Sequence, residues 1–203
     1  MDEIGEFFSV KSPKGPFEFK EKGSRFISFI YPVSGKEEAE EIIEDTRKKY
    51  YDSTHVCFGY RTGTGIEKKL RYSDDGEPAG TAGLPIINEL KGRALFNALI
   101  VVIRYYGGTK LGTGGLARAY RESAKIALDN SGIVRNTVTK TVTIHVPFEL
   151  ESDVIRQTDR FGIKIVEKKY TGAGVIAGLE IPVRCYTAFR ETLTSLSKGK
   201  IRI

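Results

Sequence analysis

The strongest chemical signal in this chain is VVIRYYGGTKLGTGGLARAYRESAK, residues 101–125. Gly107, Gly108, Gly112, Gly114 and Gly115 separate an apolar run from a helical one, so the backbone there can approach an anion closely. Free amides at the start of the helix, together with the positive end of its dipole, would complete a phosphate cradle. Arg104 precedes the loop and Lys110 lies inside it, while Arg118, Arg121 and Lys125 fall at i, i+3 and i+7, a basic stripe on one helix face. No Asp or Glu occurs between Arg104 and Arg121. The segment is not a Walker A loop, because Gly112 is followed by Thr-Gly rather than Lys-Ser/Thr, and it contains no GxGxxG. The plainer alternative is a tight connection whose glycines only satisfy positive φ.

A second cluster is YSDDGEPAGTAG, residues 72–83. Asp74, Asp75 and Glu77 could offer oxygen ligands to Mg²⁺ or an acid/base pair. Asp-Asp-Gly is equally ordinary turn chemistry, and Gly80-Thr81-Ala82-Gly83 reads as a helix entrance, so the turn reading is preferred. His55 and Cys57, two apart on a strand, share a face. No Asn or Asp is identifiable to orient a Cys–His pair, so a small buried thiol beside a hydrogen-bonded imidazole is the expectation. His145 and Cys185 are assigned to packing or surface.

Several elements must position these groups. FEFKEKGSRFISFIYPV (17–33) reads as a strand or hairpin after a polar lead of about 15 residues expected to fray. Gly35–Tyr50 reads as a helix with Ser34 as N-cap, and its basic last turn matches the dipole. Ala39, Ile42, Ile43, Thr46 and Tyr50 share its inner face. Thr54–Arg61 and Lys68–Tyr72 form a hairpin across TGTGIE, and a helix runs through Leu84–Leu90. Leu95–Tyr106 is nearly continuous apolar sequence, as in a strand covered on both faces. A helix to about Asn130 follows the glycine loop.

Ser131-Gly132 closes that helix, and two domains are drawn as 1–134 and 135–203. The second reads as strand 140–146, helix 149–160, strands 163–170 and 175–183, helix 186–197 and a last strand from Ile201. That order is βαββαβ, a ferredoxin-like arrangement. Its open sheet face would carry Thr141, Thr143, His145, Lys164, Lys168 and Glu180, with Lys164 and Lys168 as a secondary basic surface. KTVTIHV and VIAGLEIPV, the strands an RNA-recognition motif would use for base stacking, contain no aromatic residue.

Composition narrows the function classes. With 203 residues, 40% hydrophobic, the chain can bury real cores, yet it holds no run of about 18 apolar residues, so a membrane helix is excluded. The acidic start MDEIGEFF is unlike a secretory signal, and two distant cysteines make neither a disulfide framework nor a zinc knuckle. A cytoplasmic location is expected. Net charge is +6 and uneven: residues 1–131 hold 20 basic and 19 acidic residues, residues 132–203 hold 12 and 7. An excess of this kind favours an anionic partner such as nucleic acid.

At SRFISFI (24–30), THVCFGY (54–60), SDDGEPAGTAGLPI (73–86) and VVIRYYGGTKLGTGGLARAY (101–120), the chain resembles bacterial, YigZ-type members of the IMPACT family. Tyr106 departs from the pattern, since many members have Phe there. The resemblance implies an α+β protein: an N-terminal domain with the ribosomal protein S5 domain 2-like fold, and a C-terminal domain similar to those of elongation factor G. Eukaryotic relatives act in translation control by competing for the activator of the kinase that phosphorylates initiation factor 2. Bacteria lack that kinase, so fold and a link to translation or RNA carry over rather than the mechanism. The resemblance also implies a functional surface over the two long motifs, with His55, Asp74, Asp75, Gly76, Glu77, Gly80, Thr81, Gly83 and Tyr120.

The leading expectation is a non-enzymatic protein associated with RNA or the ribosome, with no cofactor, no resident metal and no catalytic residue. Its phosphate contacts would be Arg104, the loop Gly107–Gly115 with Lys110, and Arg118, Arg121 and Lys125. One alternative is a nucleotide-binding enzyme that holds Mg²⁺ on Asp74, Asp75 or Glu77. Another is a module for a protein partner in translation control. The oligomeric state is not legible in the sequence.

Overall fold

The computed structural model describes residues 5–63 and 68–201. The chain divides into two compact units, Phe7–Asn136 and the flanking chain up to Glu6 and from Thr137 onward.

In the first unit the lead expected to fray is paired as a strand over its described residues from Glu6. Strand β1 (Glu6–Val10) pairs with β7 (Ile133–Thr137), and Phe96 donates its N–H to the Phe8 carbonyl at 2.8 Å. Val10 is buried in the core. Strands β2 (Lys14–Glu21) and β3 (Ser24–Pro32) make the expected hairpin. Its two-residue turn, Lys22-Gly23, has positive φ at both residues, which matches strand twist. With β4 (His55–Thr62), β5 (Lys69–Ser73) and β6 (Ala98–Tyr105) they form an antiparallel sheet of order β2-β3-β6-β4-β5. Most of the TGTGIE turn, residues 64–67, lies outside the described residues.

The apolar run at 95–106 is the central strand β6, but the strand starts late. Ala94 and Asn97 take positive φ, so Leu95 reaches the core from a loop. Helices α2 (Gly83–Gly92) and α3 (Gly112–Asp129) share a core with one sheet face, through residues including Phe26, Ile100, Val102, Ile86 and Tyr120. Helix α1 (Lys36–Lys49) covers the other face through Ala39 and Ile43 against Val56, Phe58, Val101 and Ile103. Each fully buried aliphatic side chain contributes roughly 1.5–3 kcal/mol. Ser34 does not cap α1, whose cap residue is Gly35. Instead the Glu38 carboxylate accepts from the Ser34 N–H and hydroxyl, which holds that carboxyl below its usual range.

The second unit holds β8 (Thr139–Val146), α4 (Glu151–Phe161), β9 (Lys164–Thr171), β10 (Gly174–Pro182) and α5 (Val183–Leu196). Strand order is β8-β10-β9, with β10 antiparallel to both neighbours. Ile144, Leu179, Ile181, Val154, Phe189 and Leu193 form its core, as the alternation predicts. The last strand expected from Ile201 falls largely outside the described residues, and Ile201 itself is a buried bend.

Lys168 corrects the reading of the open sheet face. The pairing of β9 with β10 shifts register between Gly178 and Leu179, which leaves Val166 as an extra residue and reverses the alternation beyond it. Lys168 therefore lies opposite Ala177, on the helix-covered side, and pairs with Glu151 of α4. Lys164 pairs with Glu180 before the shift and keeps its predicted side.

Candidate functional site

The register of the sheet builds the site. His55 opens β4 opposite Arg104 near the end of β6, and Cys57 lies opposite Val102. The period of two puts His55, Cys57 and Arg104 on the face that packs against α2 and α3. The loop after β5 delivers Asp74, Asp75 and Glu77 to that same edge.

The three carboxylates have separate partners, which corrects their reading as a Mg²⁺ set. Asp74 accepts from the N–H groups of Gly80 (2.8 Å), Ala82 (2.9 Å) and Gly83 (2.8 Å), so it serves as the anion at the start of α2. Asp75, at positive φ, accepts from Arg47 at 2.8 Å and from the Val56 N–H at 2.7 Å. Among the described residues, no three His, Cys, Asp or Glu side chains could hold a metal ion. Gly83 is required by close approach: a Cβ there would lie 2.7 Å from the Ser73 backbone. Thr81 is buried and donates its hydroxyl to the Pro78 carbonyl.

Glu77 is the centre of a buried polar cluster. Its Oε1 accepts from Arg104 Nη1 at 2.6 Å and from the Tyr120 hydroxyl at 2.8 Å, and His55 Nε2 lies 3.8 Å away. His55 Nδ1 faces the Asp75 carbonyl at 2.7 Å, and since a carbonyl only accepts, Nδ1 carries the proton. Cys57 Sγ lies 3.1 Å from the Asp74 carbonyl and 3.4 Å from the Tyr120 hydroxyl. Burial pushes the Cys57 thiol and the Tyr120 phenol well above their ordinary values, so both stay neutral and neither is an activated nucleophile.

The glycine loop is part structural and part open. Gly107 lies against the β2–β3 turn, and a Cβ on it would lie 1.8 Å from the Gly23 carbonyl oxygen. Gly108 and Gly112 hold positive φ, with nothing within 4 Å of a built Cβ. Helix α3 begins with no side-chain cap and no acidic residue in its first turn. Beside it is a cavity of about 270 Å³ lined by Glu77, Pro78, Arg104, Tyr106, Lys110, Leu111, Gly112, Thr113 and Leu116. Arg118, Arg121 and Lys125 are exposed on the solvent face of α3, where Arg121 lies 3.7 Å from Glu89.

Residues 22–128 match the Impact N-terminal domain family. The chain is 33% identical to the IMPACT family member YvyE of Bacillus subtilis (strain 168), over 97% of this chain and 89% of that protein. It is 32% identical to the IMPACT family member YigZ of Escherichia coli (strain K12), over 90% and 89%. The crystal structure of a hypothetical protein superposes with a TM-score of 0.73 at 30% identity, covering 98% of this chain and 96% of that one.

The chain belongs to the IMPACT family.

The IMPACT match ends one residue short of the last residue of α3, so it contains both long motifs and every residue of the buried cluster. Within it the fold brings His55, Asp74, Asp75, Glu77, Arg104 and Tyr120 together, but Glu77, Thr81, Gly83 and Tyr120 are buried, so they line the interior and not the expected surface. It leaves Arg118, Arg121 and Lys125 outside that cluster, on the surface. Arg104 is corrected as a freely accessible phosphate ligand, because its residue is 4% exposed and is engaged by Glu77 and the Ser24 hydroxyl. Gly76, at positive φ, packs its turn against the His55 ring. Ser24, Arg47 and Thr54 were missed. Ser24 Oγ accepts from Arg104 and the Gly107 N–H, and Thr54 Oγ1 accepts from the Tyr106 N–H. The SRFISFI and THVCFGY segments were the available signal for Ser24 and Thr54.

Proposed function

We propose that this IMPACT-family chain is a non-enzymatic, cytoplasmic protein that associates with RNA or the ribosome and regulates translation. Nucleic-acid phosphates lie along the open start of α3 and its stripe of Arg118, Arg121 and Lys125. The observation that carries this reading is the surface itself. A helix N-terminus free of acids and caps continues into three exposed cations, with no Asp or Glu between Arg104 and Arg121. No helix among the described residues is long and apolar enough to cross a membrane. The neutral, buried Cys57 and Tyr120 support a binding role over covalent catalysis.

In this reading the first unit is an S5 domain 2-like domain. The second is a ferredoxin-like domain of the kind in elongation factor G, which its split β8-α4-β9 with β10 between supports. Co-sedimentation of the full chain with ribosomes, before and after nuclease treatment, tests the proposal. Retention that nuclease abolishes is expected. Retention that nuclease leaves intact would replace RNA with a protein partner.

A further inference from the structure

Arg104 is where the site has an unspent donor. Its residue is 4% exposed; Nη1 is bound by Glu77 and Nη2 by Ser24, while Nε is buried without a partner. A buried guanidinium N–H left unmatched is costly and uncommon, and it calls for an acceptor. Arg104 lines the cavity at the start of α3, and that helix offers its uncapped first amides at Gly112 and Thr113 to the same space. Lys110 is a third donor on the wall. One carboxylate, Glu77, also lines the cavity, but Arg104 and Tyr120 already donate to it. Two cations and a helix dipole therefore oppose a single compensated acid.

Tyr106 gives the cavity a second feature. The residue is 46% exposed, yet it is anchored at both ends. Its hydroxyl donates to the Gly108 carbonyl at 2.6 Å, and its N–H donates to Thr54 Oγ1 at 3.0 Å. The Arg104 guanidinium lies 5.5 Å from the ring centroid. A held ring with an open face beside an anion pocket is suited to stack a base while the pocket takes the phosphate.

We infer that this cavity seats a nucleoside monophosphate group, its phosphate on Lys110 and the start of α3 with the buried Arg104 guanidinium behind them as compensating charge, and its base on Tyr106. The group is the phosphorylated end of an RNA strand or a free mononucleotide. A terminal phosphate has three free oxygens for donors from three directions, where an internal phosphodiester has two. The inference rests on the proposed phosphate-binding reading and narrows it to a terminal group.

Fluorescence anisotropy with the full chain would compare one short single-stranded RNA carrying a 5′-phosphate or a 5′-hydroxyl, with AMP and inorganic phosphate as competitors. The phosphorylated strand is expected to bind about tenfold tighter, as one charge-assisted contact warrants. Thr113→Asp is the decisive variant, because an acid in the first turn favours the helix but repels phosphate. It should keep the melting temperature and lose the tenfold preference. Tyr106→Ala should weaken the RNA and AMP about tenfold and inorganic phosphate little. Equal binding of the two strands, insensitive to Thr113→Asp, overturns the inference while leaving RNA association intact. AMP binding measured directly by titration calorimetry and abolished by Thr113→Asp, with neither strand bound, supports the seat and removes RNA as its source. Binding of none of these probes overturns both.

Discussion

Arg104 and Glu77 meet at 2.6 Å with side chains only 5% and 4% exposed, an ion pair closed inside the site edge of the sheet. Charges this deep are tolerated only when paired, since the penalty for desolvating each ion is several kcal/mol. The pair holds the loop after β5 against the end of β6, and so fixes the wall of the cavity beside α3.

Breaking that pair should be expensive. Glu77→Ala leaves an uncompensated guanidinium, and a loss of about 3–5 kcal/mol is expected in urea unfolding. Glu77→Gln, which keeps an acceptor, should lose less. A Glu77→Ala protein as stable as the parent would show that Arg104 finds another partner.

Asp74 is expected to be structural. Asp74→Ala strands the N–H groups of Gly80, Ala82 and Gly83, and should cost about 2–3 kcal/mol. Addition of Mg²⁺ should leave the melting temperature of the parent unchanged, because Asp74 and Asp75 are spent on backbone amides and Arg47. A rise in melting temperature with Mg²⁺ would restore the metal reading.

The loop glycines should separate into two groups. Gly107→Ala drives a Cβ into the Gly23 backbone and should abolish folding or shift the β2–β3 turn. Gly114→Ala lies inside α3, where the added Cβ meets only the end of Arg118 at 3.6 Å. It should gain about 0.5–1 kcal/mol from helix propensity. Thermal melts of the two variants decide the matter, and equal effects would contradict this division.

Alkaline pH should weaken the fold. In the unfolded chain the Cys57 thiol and Tyr120 phenol ionise near 9.0 and 10.0, whereas burial raises both in the folded state. The unfolded state then holds fewer protons, so the stability these groups contribute is complete below pH 9.0 and declines as pH rises past it. The melting temperature measured against pH should fall above that point, and Cys57→Ala should flatten the first part of the fall. A thiol reagent should label Cys185 and spare buried Cys57 in the native protein.

Local pattern made much of this architecture legible. β6, α1 and the helices around the second core follow from periodicity because their partners only need an apolar face. β1 was not legible: five residues, EFFSV, pair with β7 more than 120 positions later, and nothing local announces that register. The Lys168 placement failed for a similar reason, since a bulge at Val166 inverts every later side chain and leaves no mark in composition. The motifs did assemble His55, Asp74, Glu77, Arg104 and Tyr120 at one edge. Sequence could not show that Glu77 is the counter-ion of Arg104, because the pairing depends on how β4 and β6 align.

The central claim is that the exposed face of α3 holds nucleic-acid phosphates. Its most direct test is RNA affinity across a salt series for the parent, for Arg118→Glu/Arg121→Glu, and for Lys164→Glu/Lys169→Glu, two exposed lysines of β9 in the second unit. Each phosphate contact contributes a slope of about −0.7 to −0.9 in log K against log salt. The account predicts a steep slope for the parent that falls by about 1.5 in the α3 variant and little in the other. Equal slopes in parent and α3 variant, or loss of binding only in the Lys164/Lys169 variant, would contradict it.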